Sequence, residues 1–414
     1  MSRSSGYSSV GISGMDWMIS FVRWRSRRLP ARGNNFSVVA EVAESFDFAV
    51  LAEKVRRMEN TRRFLAGGVA RRMPRWIPAW YYGKGDGAGI VCRSVAPGEA
   101  ETADELPRGT AVRILFFAEE RRLRFTFSHA VFDGVGAEKF IALLLGPGFR
   151  DEVPIRNEPV DIRKMKRSGD ELRRLMKRFP ERKILRLPEA EGIGRNEFRE
   201  LRLAPERYRA LAAAVEKKYG PFGFSIFLLA LILCLLEREL FAADRSKEYV
   251  FVPMSVDLRD ARGGDDDMFF NRWSLMPLLV SRKILADGVP ETFGHLRGLY
   301  LEALAAKTPR MFFDAAEAMK YVPFRLIDLF VGLNPAKTLG TLMFSFLNSS
   351  RTGAAGIGNL AHYPVMPRGN SLGFFANICN EHLNIIISRR PWRDDGAFDR
   401  FCRSLRARLE EGEA

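Results

Sequence analysis

Few residues in this chain could move a proton at neutral pH. It holds 4 histidines, and one of them, His129, sits where an active-site histidine would be placed. Residues 122–140 read RLRFTFSHAVFDGVGAEKF. Imidazole has the side-chain pKa nearest neutrality, so it can take a proton from a nucleophile and hand it on. Asp133 follows four residues later. A carboxylate there can cap a following helix. Arg122, Arg124, Thr126 and Ser128 alternate with Leu123, Phe125 and Phe127, the period-two pattern of a half-buried strand. Gly134 and Gly136 punctuate a turn, and Phe140, Ile141, Leu144 and Leu145 then recur at helical spacing. The histidine is therefore expected between a strand end and a helix start, where a rigid scaffold positions functional loops.

The elements that would hold this turn follow from the same patterning. Residues 35–42 and 112–117 read as strands, 48–58 as a helix, and 1–12, rich in Ser and Gly, as a flexible start. Residues 15–29 combine Trp17, Phe21 and Trp24 with Arg23, Arg25, Arg27 and Arg28. Such a helix either lies on a membrane interface or packs its apolar face on the body, and packing is preferred. Residues 147–188 carry many Lys and Arg and few acids, with a helix expected at 169–179. Beyond them lie a strand at 197–203, a helix from Pro205 to about 218 and an apolar helix at 225–241. The continuous apolar run of that last helix falls short of the roughly 20 residues that span a bilayer. Strands are expected at 248–256 and 342–347, a helix at 292–306, a hairpin from 371–375 and 383–388, and a final basic helix at 398–409. Residues 311–333, rich in Phe and Met, either line a tunnel or belong to the core.

The run His129-Ala130-Val131-Phe132-Asp133-Gly134 fits HxxxDG. It resembles the signature of the CoA-dependent acyltransferase superfamily: chloramphenicol-acetyltransferase-like enzymes, condensation domains, and alcohol and wax-ester acyltransferases. Further stretches carry the resemblance. Arg63-Phe64-Leu65 stands where relatives have an RFPFLA-like stretch, without its proline, and Trp80-Tyr81-Tyr82 follows. Val256-Asp257-Leu258-Arg259, then Asn271 and Met276-Pro277-Leu278, resemble the second-lobe pattern. Ser345 and Asn348 lie near a late polar turn but do not reproduce its usual spacing.

The resemblance implies an α/β fold of two chloramphenicol-acetyltransferase-like lobes, each a mixed sheet flanked by helices, with an active-site tunnel between them. It divides the chain into an N-terminal lobe (1–160), a basic crossover linker (161–190) and a C-terminal lobe (191–414). It implies acyl transfer from a thioester, on CoA or an acyl-carrier protein, to a hydroxyl or amine, with His129 as general base. Asp133 would pair with Arg259 to hold the turn. Oxyanion donors would be the backbone N–H of Gly134 or side chains from the Ser345 and Asn348 stretch. No metal and no permanently bound cofactor are implied; the thioester is a co-substrate. A non-catalytic module that docks a carrier protein is the alternative.

Composition sets the outer bounds. With 414 residues and 47% hydrophobic content, the chain can build a sizeable core, more readily in two domains than one. Its formal net charge of +15 favours polyanionic partners: CoA phosphates, an acidic carrier protein or an anionic membrane surface. No nucleic-acid-binding motif accompanies the charge, so nucleic acid is not expected as a partner. The 4 cysteines are unpaired in spacing, and His295, His362 and His382 show no metal-ligand spacing and read as surface or satisfied core histidines. A monomer in the cytoplasm is expected, with a peripheral membrane position open.

Overall fold

A computed structural model of the chain describes residues 7–28, 34–71, 77–83, 87–97, 99, 105–155, 161–177, 183–187, 196–221, 223–242, 246–259, 267–332, 340–348, 356–366, 372–389 and 395–412. Two mixed sheets with flanking helices form the body. The first has five strands in the order Ile357–Pro364, Asn35–Val42, Arg122–Ser128, Thr110–Phe117, Gly89–Val95, antiparallel except for the last pair. The second has six, in the order Trp273–Ser281, Tyr249–Asp257, Met343–Asn348, Leu372–Cys379, His382–Arg389, Glu197–Leu203. In it, Met343–Asn348 runs parallel to both neighbours and the other pairs are antiparallel. Each sheet has its own apolar core. The architecture is the mixed α/β, two-lobed one that the sequence led us to expect.

The strand leading to His129 shows how the lobes meet. Leu123, Phe125 and Phe127 are fully buried, as the alternation requires, but Thr126 and Ser128 on the other face are buried too. Polar residues on a sheet's outer face are covered only when something packs there and bonds them. Here Ser37 Oγ lies 3.2 Å from Thr126 Oγ1, and Arg23 donates to Ser128 Oγ at 2.8 Å. The helix Phe224–Leu236 is apolar on all sides and lies in the second core, as expected of a helix with no solvated face. The hairpin Leu372–Cys379/His382–Arg389 turns at Asn380 and Glu381, both at positive φ (47° and 61°), the mirror-image turn that matches strand twist.

Several features depart from the sequence pattern. Residues expected as a flexible start include the strand Tyr7–Gly11, which pairs with Pro78–Gly83 in a small three-stranded sheet with Gly68–Arg71. Its backbone pairing fixes a segment whose composition reads as loop. The helix Gly14–Arg28 packs inward: Trp17, Ile19 and Phe21 are buried, and Trp17 stacks on Phe324 with ring centroids 3.9 Å apart. The helix in the basic segment spans Ile162–Met176, starting earlier than expected because Asp161 caps it, accepting from Arg163 N at 2.9 Å. Arg163, Lys164, Lys166, Arg167, Arg173 and Arg174 are exposed on it. The strands Gly89–Val95 and Ile357–Pro364 had no legible alternation.

The second of these strands lies far beyond residue 160 yet completes the first sheet against Asn35–Val42. Buried amides fasten it to the second sheet. Asn359 and Asn384 exchange amide bonds of 3.0 and 2.8 Å, and Asn377 Nδ2 donates to Leu360 O at 2.6 Å. No single helix among the described residues is long and apolar enough to cross a membrane.

Candidate active site

His129 follows the strand Arg122–Ser128, and the helix Gly134–Leu145 begins five residues later. Asp133 is that helix's N-cap and is almost fully buried. Its Oδ1 accepts from Gly136 N at 2.8 Å. Its Oδ2 accepts from Arg259 Nη1 at 2.9 Å and from the backbone N–H of Arg272 at 2.8 Å. One carboxylate thus caps the helix and ties the turn to two segments of the second half. Gly136 is needed for close approach: a Cβ there would lie 2.2 Å from Met268 O.

Arg259 is buried and spends its whole guanidinium on this junction. Besides Asp133 it reaches Asp257 Oδ1 at 2.9 Å, Asp267 O at 3.1 Å and Phe270 O at 3.3 Å. Burial works against its charge, but the carboxylates of Asp133 and Asp257 outweigh that and hold its pKa above the ordinary arginine value. For Asp257 the balance goes the other way: burial raises its pKa despite Arg259. Lys139, on the same helix as Gly136, pairs with Asp267. The rest of the acidic run, Asp265 and Asp266, and the polar turn 349–353 lie outside the described residues.

The His129 ring is half-buried, edge-on to Phe36 (centroids 5.3 Å apart) and near Trp273 (6.1 Å). Burial holds its pKa below the ordinary imidazole value, against the opposing pull of Asp133 and of hydrogen bonds. Its Nδ1 lies 3.0 Å from Asn271 Oδ1. Asn271 Nδ2 in turn donates to His129 O at 2.9 Å and to Asp16 Oδ1 at 3.0 Å. Burial also raises the pKa of Asp16, opposed by hydrogen bonds from Asn271 and Ser13.

His129, Asp133, Gly134, Arg259 and Ser345 line one cavity of about 160 Å³ between the two sheets. Phe36, Trp273, Met343, Phe346, Leu347 and Phe375 make most of its wall apolar. Asn348 is not among the lining residues. It is exposed at the end of its strand, and three residues from Ser345 is an odd number, so the two side chains face opposite sides of the sheet. His362 is a satisfied core histidine, with Nε2 2.7 Å from Glu138 Oε1 and both groups buried, but its ring also forms cavity wall beside Gly134. Asp16, Asn271, Trp273 and His362 are the site residues that sequence reasoning did not assign.

No protein-family model matches the sequence, and no curated protein matches it either. Solved structures match closely in fold. The trichothecene 15-O-acetyltransferase of Fusarium sporotrichioides superposes with a TM-score of 0.71 at 12% identity, covering 100% of this chain and 97% of that one. The first condensation domain of the CDA synthetase superposes with a TM-score of 0.64 at 14% identity, covering 98% and 97%. This is the two-lobed fold of condensation domains and chloramphenicol-acetyltransferase-like enzymes. The starter condensation domain of rhizomide synthetase, solved with C8-CoA and Leu-SNAC, has it too, with a TM-score of 0.62 at 11% identity over 97% and 94% of the chains. In the condensation-type fold of this protein, the lobes meet where the strand end at His129 faces Arg259, Asn271 and Ser345.

Proposed function

We propose that this protein is an acyltransferase that moves an acyl group from a thioester to a hydroxyl or amine. The observation that carries the reading is the half-buried His129 on an apolar cavity, with its Nδ1 engaged by Asn271. The Nε2 nitrogen takes the proton of the acceptor's O–H or N–H as that atom attacks the thioester carbonyl. The new bond to carbon forms, the carbonyl π electrons move to oxygen, and a tetrahedral oxyanion results. When the C–S bond breaks, the leaving thiolate takes the proton back from the imidazolium. An acyl ester or amide and a free thiol are formed, and His129 ends neutral. A base whose burial keeps it unprotonated at neutral pH suits this cycle.

The oxyanion needs donors already in place. Gly134 and Ser345 line the cavity, which supports the Gly134 N–H and the Ser345 hydroxyl for that role over Asn348. Asp133 and Arg259 border the cavity, but their polar atoms are engaged with each other and with backbone groups, so their task is to hold the turn. The cavity is about the volume that takes a single benzene ring, so it suits a short acyl group. The donor is CoA or a carrier protein. The neighbour solved with C8-CoA supports a thioester donor, and the exposed arginines and lysines of the helix Ile162–Met176 suit a phosphate-rich or acidic one.

The test is thiol release from acyl-CoAs graded from acetyl to palmitoyl, with alcohol and amine acceptors. Wild type should release thiol only with an acceptor, and His129→Ala should lose at least about 10²-fold in kcat/KM. Equal release by both proteins would remove His129 from the mechanism. Acyl-carrier-protein binding without turnover on any thioester would replace the enzyme by a docking module.

A further inference from the structure

Asn271 has two N–H donors and one carbonyl acceptor, and its surroundings leave only one way to place them. Nδ2 faces the backbone carbonyl of His129 at 2.9 Å and Asp16 Oδ1 at 3.0 Å. A carbonyl oxygen never donates. Asp16 Oδ1 is committed as an acceptor as well, because the backbone N–H of Asn271 also points at it, at 2.7 Å. The other oxygen of Asp16 accepts from Ser13 N and Ser13 Oγ at 2.9 and 2.7 Å. Even a proton on that second oxygen would leave Oδ1 an acceptor.

The amide oxygen of Asn271 must therefore face the opposite way. There it meets the Trp273 indole N–H at 3.2 Å, a group that only donates, and His129 Nδ1 at 3.0 Å. An oxygen acceptor opposite Nδ1 requires that Nδ1 carry the hydrogen. We infer that Asp16 and Asn271 lock neutral His129 in the Nδ1–H tautomer, keeping the Nε2 lone pair free, and that Asp16 is a positioning residue of the site. In water, neutral histidine favours the other tautomer, whose Nε2 carries hydrogen and is not a base. The catalytic consequence rests on the acyltransferase reading; the tautomer does not.

The lock is built from distant pieces that are individually held. Asp16 lies in the first turn of the helix Gly14–Arg28. That turn is wedged against the second half of the chain. Gly14 N donates to Glu317 Oε2 at 2.6 Å, Trp17 Nε1 donates to Val322 O at 3.0 Å, and a Cβ on Gly14 would lie 2.0 Å from Ala316 O. On the other side, Phe270 is fully buried with φ 68°, a conformation a bulky side chain rarely adopts. Its backbone strain is spent at the residue before Asn271, where the chain must turn to meet Asp16. The N-terminal segment thereby acts on the site without touching substrate.

The experiment is long-range ¹H–¹⁵N NMR of protein labelled at its 4 histidines, at a pH where His129 is neutral. The ¹⁵N shifts of a neutral imidazole separate a protonated nitrogen from one with a lone pair, and His129→Gln assigns the signal by its loss. Wild type should show Nδ1 protonated and Nε2 bare. A protonated Nε2 would overturn the inference without any variant, whatever reaction the protein catalyses. In Asn271→Ala and in Asp16→Ala the tautomers should mix. On the acyl-transfer assay kcat should then fall about 10- to 100-fold with KM little changed, short of the on the order of 10⁴-fold that a fully wrong tautomer costs. Asp16→Asn can keep an oxygen on Asn271 and should recover most of the loss. An unmixed tautomer in Asn271→Ala or Asp16→Ala would remove that residue from the lock. Loss of all thiol release alongside an intact wild-type tautomer would tell against the acyltransferase reading and leave the lock standing.

Discussion

Arg259→Ala should be among the most damaging single substitutions in this protein, and the structure sets the scale. The side chain is 2% exposed and contacts two buried or part-buried carboxylates, Asp133 and Asp257, both at 2.9 Å. It also satisfies the carbonyls of Asp267 and Phe270. Taking out one partner of a buried pair costs about 3–5 kcal/mol, because a charge is left in a medium that solvates it poorly. Asp133 would keep its bonds from Gly136 N and Arg272 N, which argues for the lower part of that range. The control is Arg202→Ala, which removes a bidentate pair with Glu41 whose side chains are 35% and 43% exposed. Exposed pairs are worth about 0–1 kcal/mol. Urea unfolding of both variants, followed by tryptophan fluorescence, should therefore separate them by about 2 kcal/mol or more. The gap should narrow at lower pH, where protonation relieves Asp257, whose carboxyl burial already holds above the ordinary aspartate value. It should persist in high salt, which screens surface charges far more than buried ones. Two variants within about 0.5 kcal/mol of each other would refute the view that a buried ion pair holds the His129 turn.

Two further predictions test the surroundings of the histidine. Burial lowers the His129 pKa from its ordinary 6.5, and the neutral form is the base, so kcat/KM should be flat through neutrality and fall only below that value. An acid limb centred above pH 7 would contradict this. The same shift means that the unfolded chain binds a proton below pH 6.5 that the native one resists, so its contribution to stability is lost on acidification. Gly136→Ala should destabilise by about 1–3 kcal/mol, since its methyl would overlap Met268 O and push the helix start away from residues 268–272. Unchanged urea unfolding in that variant would show that the contact yields freely.

What could be read in advance divides by the reach of the signal. The strand, turn and helix around His129 came from alternation, two glycines and a helical apolar repeat, all within 24 residues. Arg259 came only through resemblance, and the structure sets it on Asp133. Asp16 gave no signal. An aspartate in a first helical turn is ordinarily an exposed complement to the helix dipole, and nothing local marks this one as buried against a residue 255 positions away. Asn271 belonged to the resembling pattern but had no role there, because its task is visible only once its three partners converge. The strand Ile357–Pro364 was missed for a related reason. It contacts both sheets, so it is buried along most of both faces and shows no alternation.

These long-range dependencies explain why the site can sit between two sheets and still be well ordered. The turn that carries His129 belongs by sequence to the first sheet, yet the groups that hold its ring and its Asp133 carboxylate come largely from the second half of the chain. The Asp133 carboxylate faces Arg259 and Arg272 N, the His129 ring faces Asn271, and the Gly136 backbone abuts Met268. All of these partners come from residues 259–272, between the strand Tyr249–Asp257 and the edge strand Trp273–Ser281 of the second sheet, and that segment is itself anchored to the N-terminal helix through Asp16. A cavity between lobes that merely touched would open and close with every relative motion. Here movement of the second lobe away from the first would have to break a buried ion pair and the bonds of a fully buried asparagine together. The parts free to differ between proteins of this fold are then the walls that no such bond ties down, Met343, Phe346 and Phe375 among them. On the proposed acyl transfer, those walls are where the shape of the acyl group or its acceptor would be set.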